Sequence, residues 1–385
     1  MARTNEDDGT TNEPTSSRRA VLGLAAGTGL SAIAGCLNST GGGGDATTTQ
    51  GEALADKIVL QMEGGTMLDA LESEAFDAFE EEFGTSVEVS LRSSQQSGYA
   101  KIQAGQAEVD FASVPPFTLY NGTKDDVWEP IDPDEVPNYE SNVLDPLKNP
   151  VFDPGDSLHG IPHAYGTVGM AYNNNELDDP TSWSACWDSA YDGHVAPEGF
   201  GFIRVFTTAL EMGMDPNDIG ADSSYEEAIE KIWDRVAEQQ ELVVTNWTSG
   251  DEQARLFASK DAWVGEAWGN VIYGAVQDGN DHLSYTIPEE GAYGYTQNHA
   301  LVKGISDKKR RTVLEFINFL LRDEILQPVT EKLGLPPSTS VTSEEIENLY
   351  DYDPQGGEGL KFPDVEYINE HNDEWSQRWE SVRGN

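Results

Sequence analysis

The sequence predicts an α/β protein of two lobes, preceded by an export signal and a flexible linker. Three observations lead to this prediction. Short apolar runs with the two-residue period of strands alternate with segments of helical period. The first residues have the features of a targeting segment. The chain beyond that segment is longer than one hydrophobic core usually organises, so two lobes are expected.

Residues 1–36 are predicted to be a twin-arginine signal peptide that ends in a lipobox. Arg18 and Arg19 precede an apolar run from Val21 to Ala34, which is shorter than the ~20 residues of a membrane-spanning helix. Cys36 follows two small residues, as a lipid-modified cysteine does. We therefore expect an exported protein that Cys36 anchors to the outer face of the cytoplasmic membrane. The alternative is an incidental cysteine in the signal peptide.

The charge of the chain argues against nucleic acid as a partner and indicates a saline environment. Asp and Glu number 69 against 23 Lys and Arg, which gives a formal net charge of -46. Nucleic-acid binding requires clusters of Lys and Arg, so it is not expected. A hydrophobic content of 37% is enough to build a core. The sequence thus predicts a folded protein with a dense acidic surface that is adapted to strongly saline surroundings. The alternative is an ordinary acidic secreted protein.

The first part of the chain after residue 53 predicts an α/β unit with a largely parallel sheet. Thr66 and Asp69 have the spacing of a capping box, and Gly84 ends the helix that they begin. The predicted order is strand 57–62, helix 66–83, strand 86–91, helix 99–106 and strand 109–114.

The second part predicts another αβ series after a long surface passage. That passage, Pro115 to Pro154, is rich in Pro, Asp and Asn. The expected elements that follow are extended segments 161–162 and 168–172, helix 203–212, helix 224–240, extended 242–244, helix 249–259, extended 262–266 and helix 312–321.

Seven stretches occur in the order of a known family. They are Glu82–Gly84, Val109–Asp110, Trp128–Asp132, Ile161–Gly169, Thr181–Trp183, Ile287–Ala292 and Phe316–Leu321. With them, residues 57 to 380 resemble the extracellular solute-binding proteins of ABC importers, of the spermidine/putrescine-binding type. The resemblance implies a small-molecule ligand and the permease subunits of an importer as partners, for a monomer without a cofactor.

The family's fold supplies the expected architecture. It is a two-lobed, periplasmic-binding-protein-like fold of type II, with ligand enclosed between the lobes. Gly166–Gly169 and Tyr295–Leu301 would be crossing strands that act as the hinge. The implied order is linker 37–53, first lobe 54–164, second lobe 165–295, return to the first lobe 296–345, and a segment 346–385 that packs across both lobes.

The resemblance also implies a set of ligand-binding residues. They are Glu63, Thr66, Tyr165, Arg204, Trp268, Asn270, Tyr295 and Gln297. Aromatic faces attract an ammonium group, which gives Trp268 and Tyr295 their expected role, although ordinary packing is the alternative for each. The family's ammonium-binding carboxylates are not matched, because Gln297 and Asn270 are neutral and no Asp or Glu lies between Gly199 and Leu210. A neutral or anionic metabolite is therefore the alternative to a polyamine.

Arg204 is the only Lys or Arg between Lys148 and Lys231. A guanidinium near the expected cleft would suit a ligand carboxylate or phosphate. The alternative is an ion pair on a helix surface.

The sequence offers little support for catalysis or metal binding. Cys186 lies among apolar residues, which predicts a buried, inert thiol. His159 and His163 are four residues apart, the spacing of two metal ligands on one strand face, but Pro162 interrupts that strand. No metal, cofactor or catalytic residue is expected, and an enzyme on the same two-lobed scaffold is the remaining alternative.

Overall fold

A computed structural model describes residues 53–155, 157–221, 223–341, 343–349 and 359–384. The predicted signal peptide and nearly all of the predicted linker, with Arg18, Arg19 and Cys36, lie outside these residues. No helix among the described residues has the length and apolar character needed to cross a bilayer.

The described chain is a mixed α/β structure. Its strands are β1 (Lys57–Met62), β2 (Ser86–Leu91), β3 (Phe111–Val114), β4 (Gly160–Asn173), β5 (Val264–Trp268), β6 (Leu283–Thr286), β7 (Ala292–Leu301) and β8 (Leu360–Lys361). Its helices are α1 (Thr66–Leu71), α2 (Asp77–Phe83), α3 (Gln95–Gln103), α4 (Pro116–Lys124), α5 (Pro137–Asn142), α6 (Gly201–Glu211), α7 (Tyr225–Gln240), α8 (Gly250–Ala258), α9 (Gly269–Gln277), α10 (Asp307–Leu320), α11 (Asp323–Leu333), α12 (Glu344–Leu349) and α13 (Val365–Arg383).

One sheet runs through the molecule in the order β2-β1-β3-β7-β4-β5, with β6 added to β4 and β8 to β7. The pairs β1–β2 and β1–β3 are parallel, as predicted for the first part of the chain. Strand β7 then pairs antiparallel with both β3 and β4, and β4 pairs antiparallel with β5 and β6. The whole sheet is therefore mixed rather than largely parallel.

Strands β4 and β7 connect the two halves of the sheet. The end of β7 pairs with β3 on one side and with the start of β4 on the other, whereas the rest of β4 pairs with β5 and β6. Gly166 lies opposite Tyr295 in this antiparallel pair. The predicted crossing strands are thus confirmed as one long pair that passes from one half of the molecule to the other.

Separate hydrophobic cores lie on the two sides of this strand pair. We call the part of the molecule around one core the first lobe, and this core contains residues of β1, α1, α2, α10 and α11. We call the other part the second lobe, in whose core α6 and α7 pack against the far half of β4. Helix α13 adds Trp375 and Trp379 to the core of the second lobe. It also contacts α4 of the first lobe, through the Lys124–Glu366 ion pair and Asn121.

Two sequence predictions in the first lobe are wrong. Thr66 does not cap its helix, because Gly65 occupies the N-cap position with a φ of 104° and no side chain accepts a cap hydrogen bond. Residues 115–154 are not only a surface passage, since they contain α4 and α5. Both helices begin with proline, which suits the first helical position, and both bury a tyrosine, Tyr120 and Tyr139.

Candidate functional site

Trp268 and Tyr295 lie on one face of the sheet, on the two strands that flank β4. Trp268 is opposite Val168 and Tyr295 is opposite Gly166, so both side chains project on the face shared by residues 166 and 168. The Tyr295 ring covers Gly166 so closely that a Cβ there would lie 2.4 Å from the phenol oxygen. Both aromatic side chains are half-buried. We call this pair the aromatic wall.

Trp268 is held where β5 ends and α9 begins. Its ring packs edge-on against Trp247 at a centroid distance of 5.3 Å, and its backbone N–H donates to Gln253. It also occupies the N-cap position of α9, with Asn270 in the first turn. The Asn270 side-chain oxygen is buried and has no hydrogen-bond partner among the described residues.

Glu198 is the carboxylate beside the aromatic wall, and sequence reasoning missed it. It precedes α6 and is 3% exposed. Its segment docks against β5 because Gly265 has no side chain: a Cβ there would lie 2.1 Å from the Ala196 oxygen. The Glu198 N–H donates to Glu266 Oε2 at 2.8 Å, and Gly199 N–H donates to the Trp247 carbonyl at 2.8 Å. The stretch from Gly199 to Leu210, which contains no Asp or Glu, begins one residue after it.

The environment of Glu198 disfavours its charge. Burial raises the pKa of this carboxyl well above its ordinary value, and the nearby charge of Glu266 raises it further. A hydrogen bond from Trp268 and the charge of Arg204 oppose this rise. Burial also raises the pKa of Tyr295, with the Glu198 charge as the second cause. Glu198 Oε2 is buried and has no hydrogen-bond partner among the described residues.

Arg204 does not reach an accessible surface. It lies within α6, is 0% exposed, and forms an ion pair with Glu266 and a hydrogen bond to Gln239. The ion pair that was the alternative to a ligand contact does form, in the core rather than on a helix surface. The guanidinium neutralises the buried Glu266 carboxylate, which would otherwise have no counter-charge.

The first-lobe residues of the predicted site lie at the end of β1. Glu63 accepts from Arg92 at 2.7 Å and from Gln95 at 3.0 Å. Arg92, whose side chain is 2% exposed, also donates to the Ser113 carbonyl. Thr66 is exposed at the start of α1. Sequence reasoning missed Arg92, since nothing local marks an arginine that folding buries.

The crossing strands separate the other predicted residues. Gln297 lies opposite Ala164 and shares the face of Tyr295, half-buried. Tyr165 lies opposite Thr296, so its side chain projects on the other face, where it is 1% exposed in the core of the first lobe. The structure therefore separates Tyr165 from the aromatic wall.

The remaining candidates, Cys186, His159 and His163, are each buried or paired with a neighbour. The Cys186 thiol is buried and its pKa is raised by that burial, as expected for an inert thiol. His159 pairs with Asp153, whereas His163 is buried at a bulge in β4. Among the described residues, no group of three or more His, Cys, Asp or Glu side chains could hold a metal ion.

The two lobes meet close to the aromatic wall. Phe117 at the start of α4 contacts Phe202 at the start of α6, with ring centroids 5.3 Å apart. Phe202 in turn packs on Tyr293, two residues before Tyr295 on β7. Phe200, just before α6, is 42% exposed. A surface cavity of about 620 Å³ lies elsewhere, around the Arg310–Glu135 ion pair of the first lobe, and its charged groups already have partners.

Comparison with known proteins supports the architecture. The family model of the bacterial extracellular solute-binding proteins matches residues 74–354. The spermidine/putrescine-binding periplasmic protein of Escherichia coli is 26% identical over 78% of this chain and 81% of its own. The putrescine/agmatine-binding protein of Pseudomonas aeruginosa is 24% identical over 70% of this chain and 75% of its own. The spermidine/putrescine transporter substrate-binding protein of Streptococcus pneumoniae superposes with a TM-score of 0.73 at 20% identity, covering 86% of this chain and 100% of that structure.

Proposed function

The chain belongs to the bacterial extracellular solute-binding protein family, and on this premise we propose that it delivers a small organic amine to the permease subunits of an ABC importer. It works outside the cytoplasm, as a monomer whose lobes close on the solute. The curated relatives are named for spermidine, putrescine and agmatine, all of which carry amines.

One observation carries the choice of an amine: the buried carboxyl of Glu198 lies close enough to Trp268 to accept its hydrogen bond and close enough to Tyr295 for its charge to act on that phenol. Glu198 supplies a carboxylate whose ionised form a bound cation would favour, and Trp268 and Tyr295 offer faces that attract a cation by about 0.5–2 kcal/mol each. The arginine expected to bind an anion, Arg204, already pairs with Glu266. These contacts favour a cation over an anion at the aromatic wall.

A second candidate, an amino acid with an ammonium and a carboxylate, is favoured by the helix starts. Helices α1, α4, α6 and α9 begin without a side-chain cap, near the predicted cleft residues. Helices α5 and α11 also begin without such a cap, whereas α3, α7, α8, α10 and α13 begin on a Ser or Asp cap. Uncapped helix starts keep free N–H groups, which would suit an acceptor oxygen at the far end of the ligand.

A thermal-shift screen in molar KCl tests the proposal directly. The panel contains putrescine, spermidine, agmatine, 4-aminobutyrate and succinate. A solute that binds only the folded protein adds about 2.7 kcal/mol at 100 times its Kd, which a melting curve detects readily. We expect a shift with at least one amine and none with succinate. A shift with succinate alone would contradict an amine receptor.

Truncation of Trp268 tests the aromatic wall. Trp268→Ala should weaken amine binding by about 2 kcal/mol, because a buried aromatic anchor is lost. Trp268→Phe keeps an aromatic face and should retain most of the affinity. Titration calorimetry with the amine that gives the largest thermal shift measures both. Equal affinities for the wild type and Trp268→Ala would remove Trp268 from the site.

The membrane anchor is a separate proposal, motivated by the sequence around Cys36. Cys36→Ser should release the protein into the medium or leave an uncleaved precursor, because the acylated thiol is missing. Replacing Arg18 and Arg19 by Lys should block export altogether, which separates the export step from the anchoring step. Fractionation and mass measurement report both. Unchanged anchoring and mass of Cys36→Ser would exclude the lipid.

A further inference from the structure

The buried charges beside the aromatic wall do not balance. Glu198 and Glu266 are 3% and 1% exposed, and Arg204 is 0% exposed. The remaining polar contact of Arg204 is the neutral Gln239. Two carboxylates therefore face one guanidinium, so the cluster has one surplus negative charge whenever Glu198 is ionised.

The surplus falls on Glu198. Arg204 forms its ion pair with Glu266, and Glu266 Oε2 accepts from the Glu198 backbone. Trp268 is a hydrogen-bond partner of the Glu198 carboxyl, and Glu198 Oε2 is buried with no partner among the described residues. An uncompensated buried carboxylate is costly, so a site of this kind favours a cation that can complete it.

We propose that Glu198 binds the single cationic group of the ligand, so that this receptor selects a solute with one ammonium or guanidinium at the aromatic wall rather than a dication. This inference rests on the amine-binding function proposed above. Glu198 is not among the residues that the family resemblance implied.

A second ammonium has no comparable place at the aromatic wall. Asn270 and Gln297 offer neutral amides, which suit an acceptor or donor group at the other end of the ligand. In the first lobe, Glu63 already compensates Arg92. A second buried ammonium would therefore lose its hydration without gaining a counter-charge.

The test is a matched pair of ligands that differ in one charge. Putrescine has two ammonium groups, and N-acetylputrescine has the same four-carbon chain with one of them acetylated. Titration calorimetry in molar KCl should show N-acetylputrescine binding at least as tightly as putrescine. Glu198→Gln should weaken N-acetylputrescine about tenfold or more, because a charge-assisted hydrogen bond is lost.

Glu211→Gln is the matched control. Glu211 lies at the far end of α6 and pairs with Arg235, so this variant removes an equal charge away from the aromatic wall. Its affinity for N-acetylputrescine should change by less than about twofold. Melting without ligand should show Glu198→Gln folded and at least as stable as the wild type. Should it fail to fold, Glu198→Asp shortens the side chain, keeps the charge and is expected to weaken binding too.

The outcomes separate this inference from the proposed function. If putrescine binds more than about tenfold tighter than N-acetylputrescine, or if Glu198→Gln binds N-acetylputrescine as well as the wild type does, the inference is overturned while the amine receptor stands. If neither amine and no other amine of the screen binds the wild type, the proposed function fails and the inference fails with it.

Discussion

Each lobe contains a buried arginine paired with a glutamate, and the two pairs differ in their surroundings. In the first lobe Arg92 pairs with Glu63, whose side chain is 39% exposed, and Arg92 also donates to the Ser113 carbonyl. In the second lobe Arg204 pairs with Glu266, and the two side chains are 0% and 2% exposed. The first pair is in contact with water and neutral. The second is sealed and lies beside another carboxylate.

The difference shows where a ligand can gain from the protein's charges. A neutral pair that water reaches has little to offer an incoming cation. A sealed cluster with a surplus carboxylate is stabilised by one. On the function proposed above, the second lobe would therefore bind the positive charge and the first lobe would close over the ligand.

The largest expected effect comes from breaking the sealed pair. Arg204→Met leaves Glu266 buried without a counter-ion and should lower the free energy of unfolding by about 3–5 kcal/mol. Arg92→Met should cost only about 1–2 kcal/mol, because Glu63 is re-solvated and the main loss is the hydrogen bond to Ser113. Urea denaturation of both variants measures the difference.

Salt and a double variant serve as controls for that prediction. The wild type should become more stable from low to molar salt, because the repulsion of its acidic surface is screened. The cost of Arg204→Met should stay the same, because a sealed pair is not screened. Adding Glu266→Gln to Arg204→Met should restore much of the stability. Equal costs for the Arg92 and Arg204 variants would break the comparison between the lobes.

A smaller effect is expected at a third buried cluster, the histidine pair of the crossing strands. His163 and His299 stack with ring centroids 4.5 Å apart, and their ring nitrogens have no partners among the described residues. Burial lowers the pKa of His163 from 6.5 to about 4, and it also lowers that of His299, where the neighbouring His163 contributes. Unlike the Glu198 cluster, this pair is stable only when uncharged.

The sign of the pH dependence follows from these shifts. The unfolded chain binds protons near pH 6.5 and the native pair binds them only at lower pH, so stability is full above 6.5 and is lost as the pH falls towards about 4. The lowered pKa of His163 should reduce the free energy of unfolding by about 2 kcal/mol between about pH 7 and 5, and that of His299 should reduce it further. His299→Phe should reduce the slope of unfolding free energy against pH. The control is His194→Phe, which removes a half-buried imidazole stacked on Trp263. An unchanged slope for His299→Phe would contradict the account.

Local periodicity predicted several regular elements closely, but it missed helices α4, α5, α9, α11 and α13. Strands 57–62 and 86–91 were predicted with the bounds that the structure has, and helix 224–240 differs only in that Ser224 is its cap. The strand predicted at 109–114 is shorter, and the helix predicted at 99–106 begins earlier, at Gln95. Such elements depend on apolar spacing and caps, which are properties of neighbouring residues.

The site could be predicted less well because it depends on contacts between distant residues. Trp268 and Tyr295 are 27 positions apart, and only the pairing of both their strands with β4 brings them to one face. The burial of Arg204 and its pairing with Glu266 follow from packing between α6 and β5, which no local pattern encodes. Glu198 is charged, and charged residues are normally exposed, so its burial was not expected.

The central claim is that Glu198 is the counter-charge of the ligand, and the number of protons released on binding tests it most directly. The pKa of Glu198 is raised above its ordinary value of 4.5, which favours the protonated form in the free protein, whereas a bound cation favours the ionised form. Calorimetric titration with N-acetylputrescine, between that value and neutral pH and in buffers of different ionisation enthalpy, measures the release. The account predicts a net release of protons by the wild type and none by Glu198→Gln. Full binding by the wild type without proton release would contradict it.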